Sequence, residues 1–211
     1  HCYSISCDKD FPGELSTEQA CEVMDDLKSF AVPVLILSGG EPLLRPDIFE
    51  LARRAKAMGF YVGLSTNGTL IEASNVGRIA GAGFDYVGIS LDGMEATHDR
   101  FRRKEGAYRA ALNGLRLCRE AGIKVGVRFT LTEGNAAELP QVLALLDTEQ
   151  IDKFYLSHLN YAGRGNTNRR KDAMLDTTRR AMDLVFDACW SDIQRGVNRE
   201  YVTGNNDADG V

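Results

Sequence analysis

The sequence lacks an excess of positive charge and any long apolar run. Its 25 basic and 30 acidic residues give a formal net charge of −5, whereas proteins that bind nucleic acid usually carry a basic excess. No apolar stretch in the sequence approaches the roughly 20 residues that a membrane-spanning helix needs. We therefore expect neither nucleic acid nor a membrane among the partners of this protein.

Cysteine is also scarce, and its five positions follow no regular spacing: Cys2, Cys7, Cys21, Cys118 and Cys189. An odd number at irregular spacing is typical of reduced thiols in the cytoplasm and argues against a disulfide framework. The last three lie in helical patterns, where we expect them to be buried as small apolar side chains. The chain also lacks an initial methionine, which predicts a fragment without its natural start.

The stretch at 33–42, PVLILSGGEP, is the one around which the chain is organised. Its four aliphatic residues predict a strand buried on both faces, as in a parallel sheet. The strand ends at a Ser-Gly-Gly run, where small residues let a ligand approach the backbone, and Glu41 follows as a carboxylate. Ligands of α/β folds bind outside the carboxyl ends of the strands, so we expect the chemistry here.

Strand-like and helical patterns alternate five times along the chain. The predicted strands are 34–37, 60–65, 85–91, 123–131 and 153–159, and the predicted helices are 16–30, 47–58, 76–81, 108–121, 138–146 and 176–194. Repeated βα units predict a parallel sheet in one domain spanning 1–211, but the alternation alone leaves open a doubly wound sheet or a barrel. The segment 160–172 is predicted to be a polar loop, and the tail from 203 is predicted to be loop-like.

Small or polar residues stand at the ends of the predicted strands. They are Ser38, Glu41, Ser65, Thr66, Asn67, Ser90, Asp92, Asn135, Ser157 and His158. Such residues also simply form turns, and this alternative stays open for each position taken alone. Arg128 lies within an apolar strand and needs an anionic partner, because burying an unpaired charge is costly. The carboxylate of a ligand would serve.

Four ordered motifs carry a family resemblance: HCYS at the start, then GGEP, STNG and SLDG on successive βα units. In this order they resemble the radical S-adenosylmethionine (SAM) superfamily over nearly the whole chain. The resemblance implies a partial (β/α)6 barrel of the TIM type, truncated at both ends and without its first strand, so that the five predicted strands would be the second to the sixth. It also implies a 4Fe-4S cluster on the three thiolates of a CxxxCxxC loop, SAM chelated to the fourth iron, and an electron donor such as a flavodoxin or ferredoxin.

The resemblance also assigns roles to individual residues. Cys2 would be the third cluster cysteine, and the backbone of His1 would lie near the adenine of SAM. The other implied contacts are Gly39, Gly40 and Glu41 with the ammonium group, Ser65 and Asn67 with methionine and ribose, Ser90 and Asp92 with ribose hydroxyls, and Arg128 with the carboxylate, with Asn135 in the same region. His98-Asp99-Arg100 after SLDG also match the family, although these side chains would equally hold the loop by hydrogen bonds.

The stretch FYLSHLNYAGRGNTNRRKD at 154–172 points to one branch of the family. Together with HCYS it resembles the NirJ group of heme d1 biosynthesis and its alternative-heme-pathway relatives. The implied substrate is an iron tetrapyrrole, didecarboxysiroheme, which loses two propionates. Guanidinium forks match carboxylates, so Arg164, Arg169 and Arg170, with His158, are candidate substrate contacts. A solvated charge run, and a hydrogen-bonded histidine at a strand end, are the plain alternatives.

Other functions stay open at this point. A SPASM-type radical SAM enzyme that matures peptides, or an alternative-heme-pathway decarboxylase, would share every barrel motif. A non-catalytic barrel that binds a nucleotide or a tetrapyrrole without radical chemistry is a further alternative. Missing C-terminal cysteines, and whether an iron tetrapyrrole or a peptide protects the segment 160–172, would discriminate the peptide-maturing alternative. A CxxxC motif upstream of His1 would argue against the non-catalytic barrel.

Overall fold

The computed structural model describes residues 13–161 and 163–204. His1 and Cys2, the positions assigned to the adenine and the cluster, lie outside the described residues, as does Cys7. Within the described part, one sheet of six parallel strands runs in sequence order and curls into a half-barrel. The predicted α/β architecture of a partial barrel is therefore confirmed.

Strands and helices alternate along the chain as the βα pattern predicts. The strands are β1 (Val34–Leu37), β2 (Tyr61–Thr66), β3 (Tyr86–Ser90), β4 (Val125–Thr130), β5 (Lys153–Ser157) and β6 (Glu200–Gly204). The helices are α1 (Thr17–Ser29), α2 (Ile48–Ala57), α3 (Val76–Gly81), α4 (Glu95–Arg102), α5 (Ala107–Glu120), α6 (Leu139–Thr148), α7 (Gly163–Thr167) and α8 (Leu175–Arg195). Short 3-10 turns occur at Pro42–Leu44, Ala136–Glu138 and Arg169–Lys171.

The two faces of the sheet differ because side chains alternate along each strand. The outer face is apolar and packs under the helices; it includes Val62, Leu64, Val87, Ile89, Val127, Phe129 and Phe154, none more than 1% exposed. What we call the inner face carries small and polar residues, namely Gly63, Ser65, Gly88, Ser90, Gly126, Arg128 and Tyr155. Burial of the outer face stabilises the half-barrel, and the inner face remains partly open.

A tyrosine closes the amino-terminal end of the inner face. A Cβ at Gly88 would lie 2.8 Å from the hydroxyl oxygen of Tyr86, and a Cβ at Gly126 would overlap that oxygen. The two glycines therefore admit the Tyr86 ring, which is 4% exposed. Its hydroxyl has no hydrogen-bond partner within the described residues, and burial raises the pKa of Tyr86 to about 12.

Residues at the helix ends satisfy the local rules for capping. Ser16 and Gln19 form a capping box, with the Gln19 N–H donating to Ser16 Oγ at 3.2 Å and the Ser16 N–H donating to Gln19 Oε1 at 2.9 Å. Gly59, at a φ of +84°, follows the C-cap of α2, as a glycine stop requires.

Burial differs from the prediction at the first strand. Among the described strands β1 pairs only with β2, and Val34 and Ile36 are 45% and 41% exposed. The prediction that this strand is buried on both faces is therefore wrong. Val34 and Ile36 pair with Tyr61 and Gly63 and so lie on the inner face, which is partly open in the described part of the chain.

Two elements were missed because non-local contacts stabilise them. The sheet has six strands instead of five, since Glu200–Gly204 pairs in parallel with β5. Glu200 forms ion pairs with Lys124 and Lys153, which come from other parts of the sheet. Helix α4 follows SLDG where no helix was predicted, and short turns of helix interrupt the predicted loop at 160–172.

Burial of the three described cysteines agrees with the prediction at one position. Cys118 is 0% exposed, and burial raises the pKa of its thiol to about 12. Cys21 and Cys189 are half-buried. None of the helices in the two described ranges combines the length and apolar character needed to cross a membrane.

Candidate functional site

The carboxyl ends of β2, β3 and β4 bring three of the predicted SAM contacts to one face of the sheet. Ser90 is the register partner of Arg128, and Ser65 is the register partner of Gly88, two residues before Ser90. Neighbouring strands lie about 4.8 Å apart, so Ser65, Ser90 and Arg128 share one edge of the inner face. Within 13–161 and 163–204, neither serine hydroxyl makes a hydrogen bond, and both side chains are half-buried.

Arg128 presents a charge on this face without an acidic partner among the described residues. The guanidinium carbon lies 4.4 Å from the centroid of the Tyr155 ring. Across the described chain, no carboxylate lies within ion-pair distance of Arg128. The guanidinium thus lies over an aromatic ring, and a guanidinium stacked on a ring keeps its N–H edge available for an anion.

Glu41 joins the ends of the first two strands. Its carboxylate accepts the Asn67 N–H at 2.8 Å and the Thr66 hydroxyl at 2.6 Å. It also accepts the Leu43 N–H at 3.2 Å, which caps the turn that follows. The predicted ligand carboxylate is therefore half-buried and fixed in place by residues of the neighbouring βα loop.

The glycines before Glu41 leave the backbone accessible. Gly39 has a φ of +147°, a value that favours glycine. A Cβ at Gly39 would meet no atom within 4 Å, and Gly40 is also exposed. By contrast, the side-chain oxygen of Asn67 already accepts two hydrogen bonds, from the N–H of Thr69 at 2.8 Å and from the Thr69 hydroxyl at 2.7 Å, and these bonds form a turn.

Asp92 is placed as a buried structural centre. Its side chain is 0% exposed, and its carboxylate forms an ion pair with Arg102 and accepts the Thr130 N–H at 2.9 Å. Its backbone N–H donates to His98 Nδ1 at 3.0 Å, and its carbonyl accepts from Asn135 Nδ2 at 3.0 Å. In this conformation the carboxylate has no open path to a ribose hydroxyl.

Asn135 and the segment His98-Asp99-Arg100 hold loops in place by hydrogen bonds. Asn135 is 1% exposed and uses both ends of its amide, accepting the Thr132 N–H at 2.8 Å and donating to the Thr130 carbonyl at 2.8 Å. Asp99 accepts the N–H groups of Gly106 and Tyr108, at 2.7 and 2.8 Å. These contacts favour the loop-holding interpretation of the segment.

His98 is buried in a neutral form within this network. Its side chain is 1% exposed, and its ring meets the Tyr108 ring edge-on with centroids 6.1 Å apart. Burial lowers the pKa of His98 to about 4, although Asp92 and Asp99 act in the opposite direction. A neutral Nδ1 is therefore available to accept the Asp92 N–H at neutral pH.

The basic segment lies beside the carboxyl end of β4. The Lys171 carbonyl accepts the Glu133 N–H at 3.0 Å, and Thr132 forms a bridge with Asp172. Arg169 and Arg170 are exposed, and the Arg169 guanidinium carbon lies 4.4 Å from the centroid of the Tyr161 ring. We call Arg169–Lys171 the rim segment, because it flanks the edge where the strands end.

The other two substrate candidates are placed less openly. His158 follows β5, is 6% exposed, and its N–H donates to the Gly204 carbonyl at 3.4 Å. Arg164 lies in α7, and its side chain is outside the described part of the structure. Among the predicted substrate contacts in the described part of the structure, the exposed guanidinium groups are therefore those of the rim segment.

Neither a described metal centre nor the groove between α6 and α8 coincides with these residues. The described residues contain no group of three or more His, Cys, Asp or Glu side chains that could hold a metal ion. An open groove of about 350 Å³ lies between the start of α6 and α8, lined by residues such as Pro140, Thr177 and Arg180. None of the predicted cofactor contacts lines that groove.

Sequence reasoning missed two residues that organise the site. Tyr155 stacks on Arg128, and Arg102 neutralises Asp92. Tyr155 was missed because it lies in an apolar strand. It follows the buried Phe154 and therefore lies on the opposite face of the sheet. The second lies on α4, a helix that was not predicted, ten residues after its partner.

Comparison with known proteins gives one family and several close relatives. The family model described as the radical SAM superfamily matches residues 1–146. The Pre-heme d1 synthase of Dinoroseobacter shibae is 58% identical over 212 residues, covering 100% of this chain and 52% of the relative. The Fe-coproporphyrin III synthase of Methanosarcina barkeri is 43% identical over 210 residues, covering 100% and 53%. The chain thus spans about half the length of these relatives.

A solved structure shares the fold at low sequence identity. Streptococcus suis SuiB bound to S-adenosylmethionine matches with a TM-score of 0.79 and 18% identity, over 95% of this chain and 46% of that chain. Identity at this level supports the shared fold alone. It agrees with the parallel half-barrel described above.

Proposed function

The chain belongs to the radical SAM superfamily, and on that premise we propose that it is the barrel of an enzyme of heme d1 biosynthesis. The enzyme would act on propionate side chains of an iron tetrapyrrole, with didecarboxysiroheme as the substrate. The observation that carries the proposal is the 58% identity to a Pre-heme d1 synthase over 100% of the chain. The 43% identity to an Fe-coproporphyrin III synthase favours a tetrapyrrole over a peptide substrate.

The inner face suits SAM because its polar groups are complementary to the cofactor. Arg128 offers the free edge of its guanidinium to the SAM carboxylate, and the hydroxyls of Ser65 and Ser90 are not committed to other described groups. Glu41 would meet the ammonium group with the one acceptor position that Leu43, Thr66 and Asn67 leave free, since a carboxylate has about four such positions. The open backbone at Gly39 and Gly40 would border the same group.

Other predicted contacts take a supporting part in the proposal. Asn67 would approach the ribose with its amide nitrogen, because its oxygen is already bonded to Thr69. Asp92 and Asn135 would hold the SLDG loop in position for Ser90 instead of contacting SAM, as their burial suggests. Cys2 would be a ligand of a 4Fe-4S cluster and His1 a neighbour of the adenine, by the motif they occupy.

The chemistry is divided between the bound group and the chain. When bound, the cluster and SAM would supply an electron and the 5′-deoxyadenosyl radical chemistry that removes hydrogen from the substrate. The residues of the inner face bind and orient SAM, and the packed apolar outer face excludes water from behind the strands. A flavodoxin or ferredoxin in the cytoplasm would be the electron donor.

The rim segment is the proposed contact for the propionates. Arg169 and Arg170 are exposed at the edge where the strands end, and guanidinium forks bind carboxylates with two parallel hydrogen bonds. Arg164 and His158 would complete this contact from α7 and the end of β5. A substrate with several carboxylates would therefore span the rim and place one propionate over the inner face.

The experiment uses the full-length protein, reconstituted without oxygen with iron and sulfide and supplied with SAM, a reductant and didecarboxysiroheme. We expect 5′-deoxyadenosine and a propionate-altered product to form together, and neither to form with Cys2→Ala. Deoxyadenosine that forms equally with and without the tetrapyrrole would refute the substrate. Its complete absence from the reconstituted protein would refute the enzyme class.

A further inference from the structure

Arg128 is held from one side by a residue to which neither the motifs nor the family resemblance gives a role. Tyr155 is the register partner of Arg128 on the neighbouring strand, and its ring centroid lies 4.4 Å from the guanidinium carbon. Both side chains are half-buried on the inner face. A guanidinium packed on an aromatic face at this distance gains a cation–π attraction.

The end of the Tyr155 side chain occupies the space that a glycine leaves on the last strand. A Cβ at Gly204 would overlap the Tyr155 hydroxyl oxygen and lie 3.0 Å from Cζ. Gly204 pairs with Ser157, two residues beyond Tyr155 toward the carboxyl end of the strands. The ring therefore leans along β6 toward the open end of the half-barrel, over a position where no side chain competes for the space.

On the other side, the aliphatic stem of the Arg128 side chain packs closely against β3. A Cβ at Gly88 would lie 3.0 Å from Arg128 Cδ, so the absence of a side chain at Gly88 makes room for this stem. Gly88 precedes Ser90, the register partner of Arg128 on β3. The stem thus runs beside one strand and the guanidinium lies over a ring on the other, which limits the rotamers open to this long side chain.

We infer that Tyr155 is a positioning residue that holds the Arg128 guanidinium by its face and leaves its N–H edge free for the carboxylate of SAM. This inference rests on the proposed SAM site. Stacking engages the face of the guanidinium, whereas a bidentate carboxylate needs the edge, so the two interactions are compatible. An acidic side chain in place of Tyr155 would occupy the edge, and an aliphatic one would leave the guanidinium free to rotate.

The test separates positioning from space filling by the chemistry of the ligand. Dissociation constants are measured for SAM and for decarboxylated SAM, which keeps the sulfonium and the amine but lacks the carboxylate, with the reconstituted full-length protein. Tyr155→Leu is expected to weaken SAM binding about three- to tenfold, since a partly desolvated cation–π contact contributes on that scale. Binding of decarboxylated SAM is expected to change less than about twofold. Tyr155→Phe retains the ring and should bind both ligands as the wild type does.

Equal weakening of both ligands by Tyr155→Leu would overturn the inference, because a merely structural role affects them alike, and so would wild-type affinity for SAM. If Tyr155→Leu does not fold, Gly204→Ala makes the same test, since its methyl group displaces the ring, and the same selective loss is expected. Arg128→Gln distinguishes the positioning role of Tyr155 from the SAM site itself. Selective loss of SAM in Arg128→Gln without loss in Tyr155→Leu retains the SAM site and removes the positioning role, whereas wild-type binding by Arg128→Gln refutes the site itself.

Discussion

Arg102 forms an ion pair with Asp92 at a position where the carboxylate has no exposed surface. Arg102 belongs to α4, and Asp92 follows β3, so the pair ties a helix to the carboxyl end of a core strand. The second carboxylate oxygen accepts the Thr130 N–H from β4 at 2.9 Å. Three elements, β3, α4 and β4, are therefore joined by one side chain beside Ser90.

Asp92→Asn is predicted to destabilise the protein by about 2–3 kcal/mol, because it leaves the guanidinium of a largely buried pair without its anion. Urea unfolding followed by circular dichroism measures the change. The matched control is Glu95→Gln, which breaks the pair with Arg109, whose side chains are 47% and 78% exposed. That control is expected to cost less than about 1 kcal/mol, and equal costs for the two variants would contradict the structural role of Asp92.

The stability of the protein is predicted to fall in mild acid through His98. Burial lowers the folded-state pKa of His98 to about 4, whereas an unfolded histidine titrates near 6.5. The unfolded state therefore binds more protons between these values, and the stabilisation, complete above pH 6.5, is lost as the pH falls toward 4. Protonation would also remove the acceptor for the Asp92 N–H.

The measurement compares unfolding free energies of the wild type and His98→Gln at pH 7.5 and pH 5.5. The wild type is expected to lose about 1 kcal/mol more than the variant over this interval. Parallel pH profiles for the two proteins would show that His98 titrates normally, and would contradict its burial in the neutral form.

Gly126→Ala is predicted to destabilise the protein by about 1–3 kcal/mol through overpacking. The added methyl would overlap the Tyr86 hydroxyl and lie 2.9 Å from the Lys153 carbonyl oxygen. Thermal and urea unfolding measure the effect. Gly77→Ala is the matched control, since a Cβ at Gly77 in α3 meets no atom within 4 Å, and it is expected to stabilise by about 0.5–1 kcal/mol.

A second variant identifies the atom responsible. Tyr86→Phe removes a buried hydroxyl that has no partner within the described residues, so alone it is expected to be neutral or stabilising. In the double variant it should recover part of the stability lost in Gly126→Ala. No recovery would mean that the tyrosine hydroxyl does not set the limit at this glycine, and that the Tyr86 ring carbon at 2.7 Å or the Lys153 carbonyl oxygen at 2.9 Å does.

Arg169→Gln is predicted to raise the KM for the tetrapyrrole about three- to tenfold, as loss of one exposed charge-assisted contact would. Affinity for SAM should not change, because Arg169 lies on the rim segment and not on the inner face. Steady-state turnover and equilibrium SAM binding measure the two quantities. Arg53→Gln, an exposed arginine on α2, serves as the control, and an equal effect of both variants would point to general electrostatic attraction.

Local patterns predicted most of the fold but not its edges. The apolar runs and glycine stops located β1 to β5 and most of the helices, because those signals are carried by consecutive residues. Strand β6 was missed, since its five residues depend on pairing with β5 and on lysines at 124 and 153. The exposure of Val34 and Ile36 was equally non-local, because it depends on what covers the inner face of the sheet.

The site was predictable in its positions and less so in its contacts. The strand ends and the motif order grouped Ser65, Ser90 and Arg128 as contacts of one ligand, and the register places these three residues on one face of the sheet. The complete burial of Asp92 depends on Arg102 and on the Thr130 N–H, groups that lie 10 and 38 residues away along the chain. Such contacts follow from the assembled loops and leave no pattern in the residues around Asp92.

The central claim is that the inner face at the strand ends binds SAM through Arg128, and a crystal structure of the reconstituted full-length protein with SAM tests it most directly. We predict that the SAM carboxylate lies within hydrogen-bonding distance of the Arg128 guanidinium, about 2.7–3.2 Å, while the guanidinium remains stacked on Tyr155. A SAM molecule bound away from Ser65, Ser90 and Arg128, or an Arg128 paired with an acidic residue of the protein in that complex, would contradict the account.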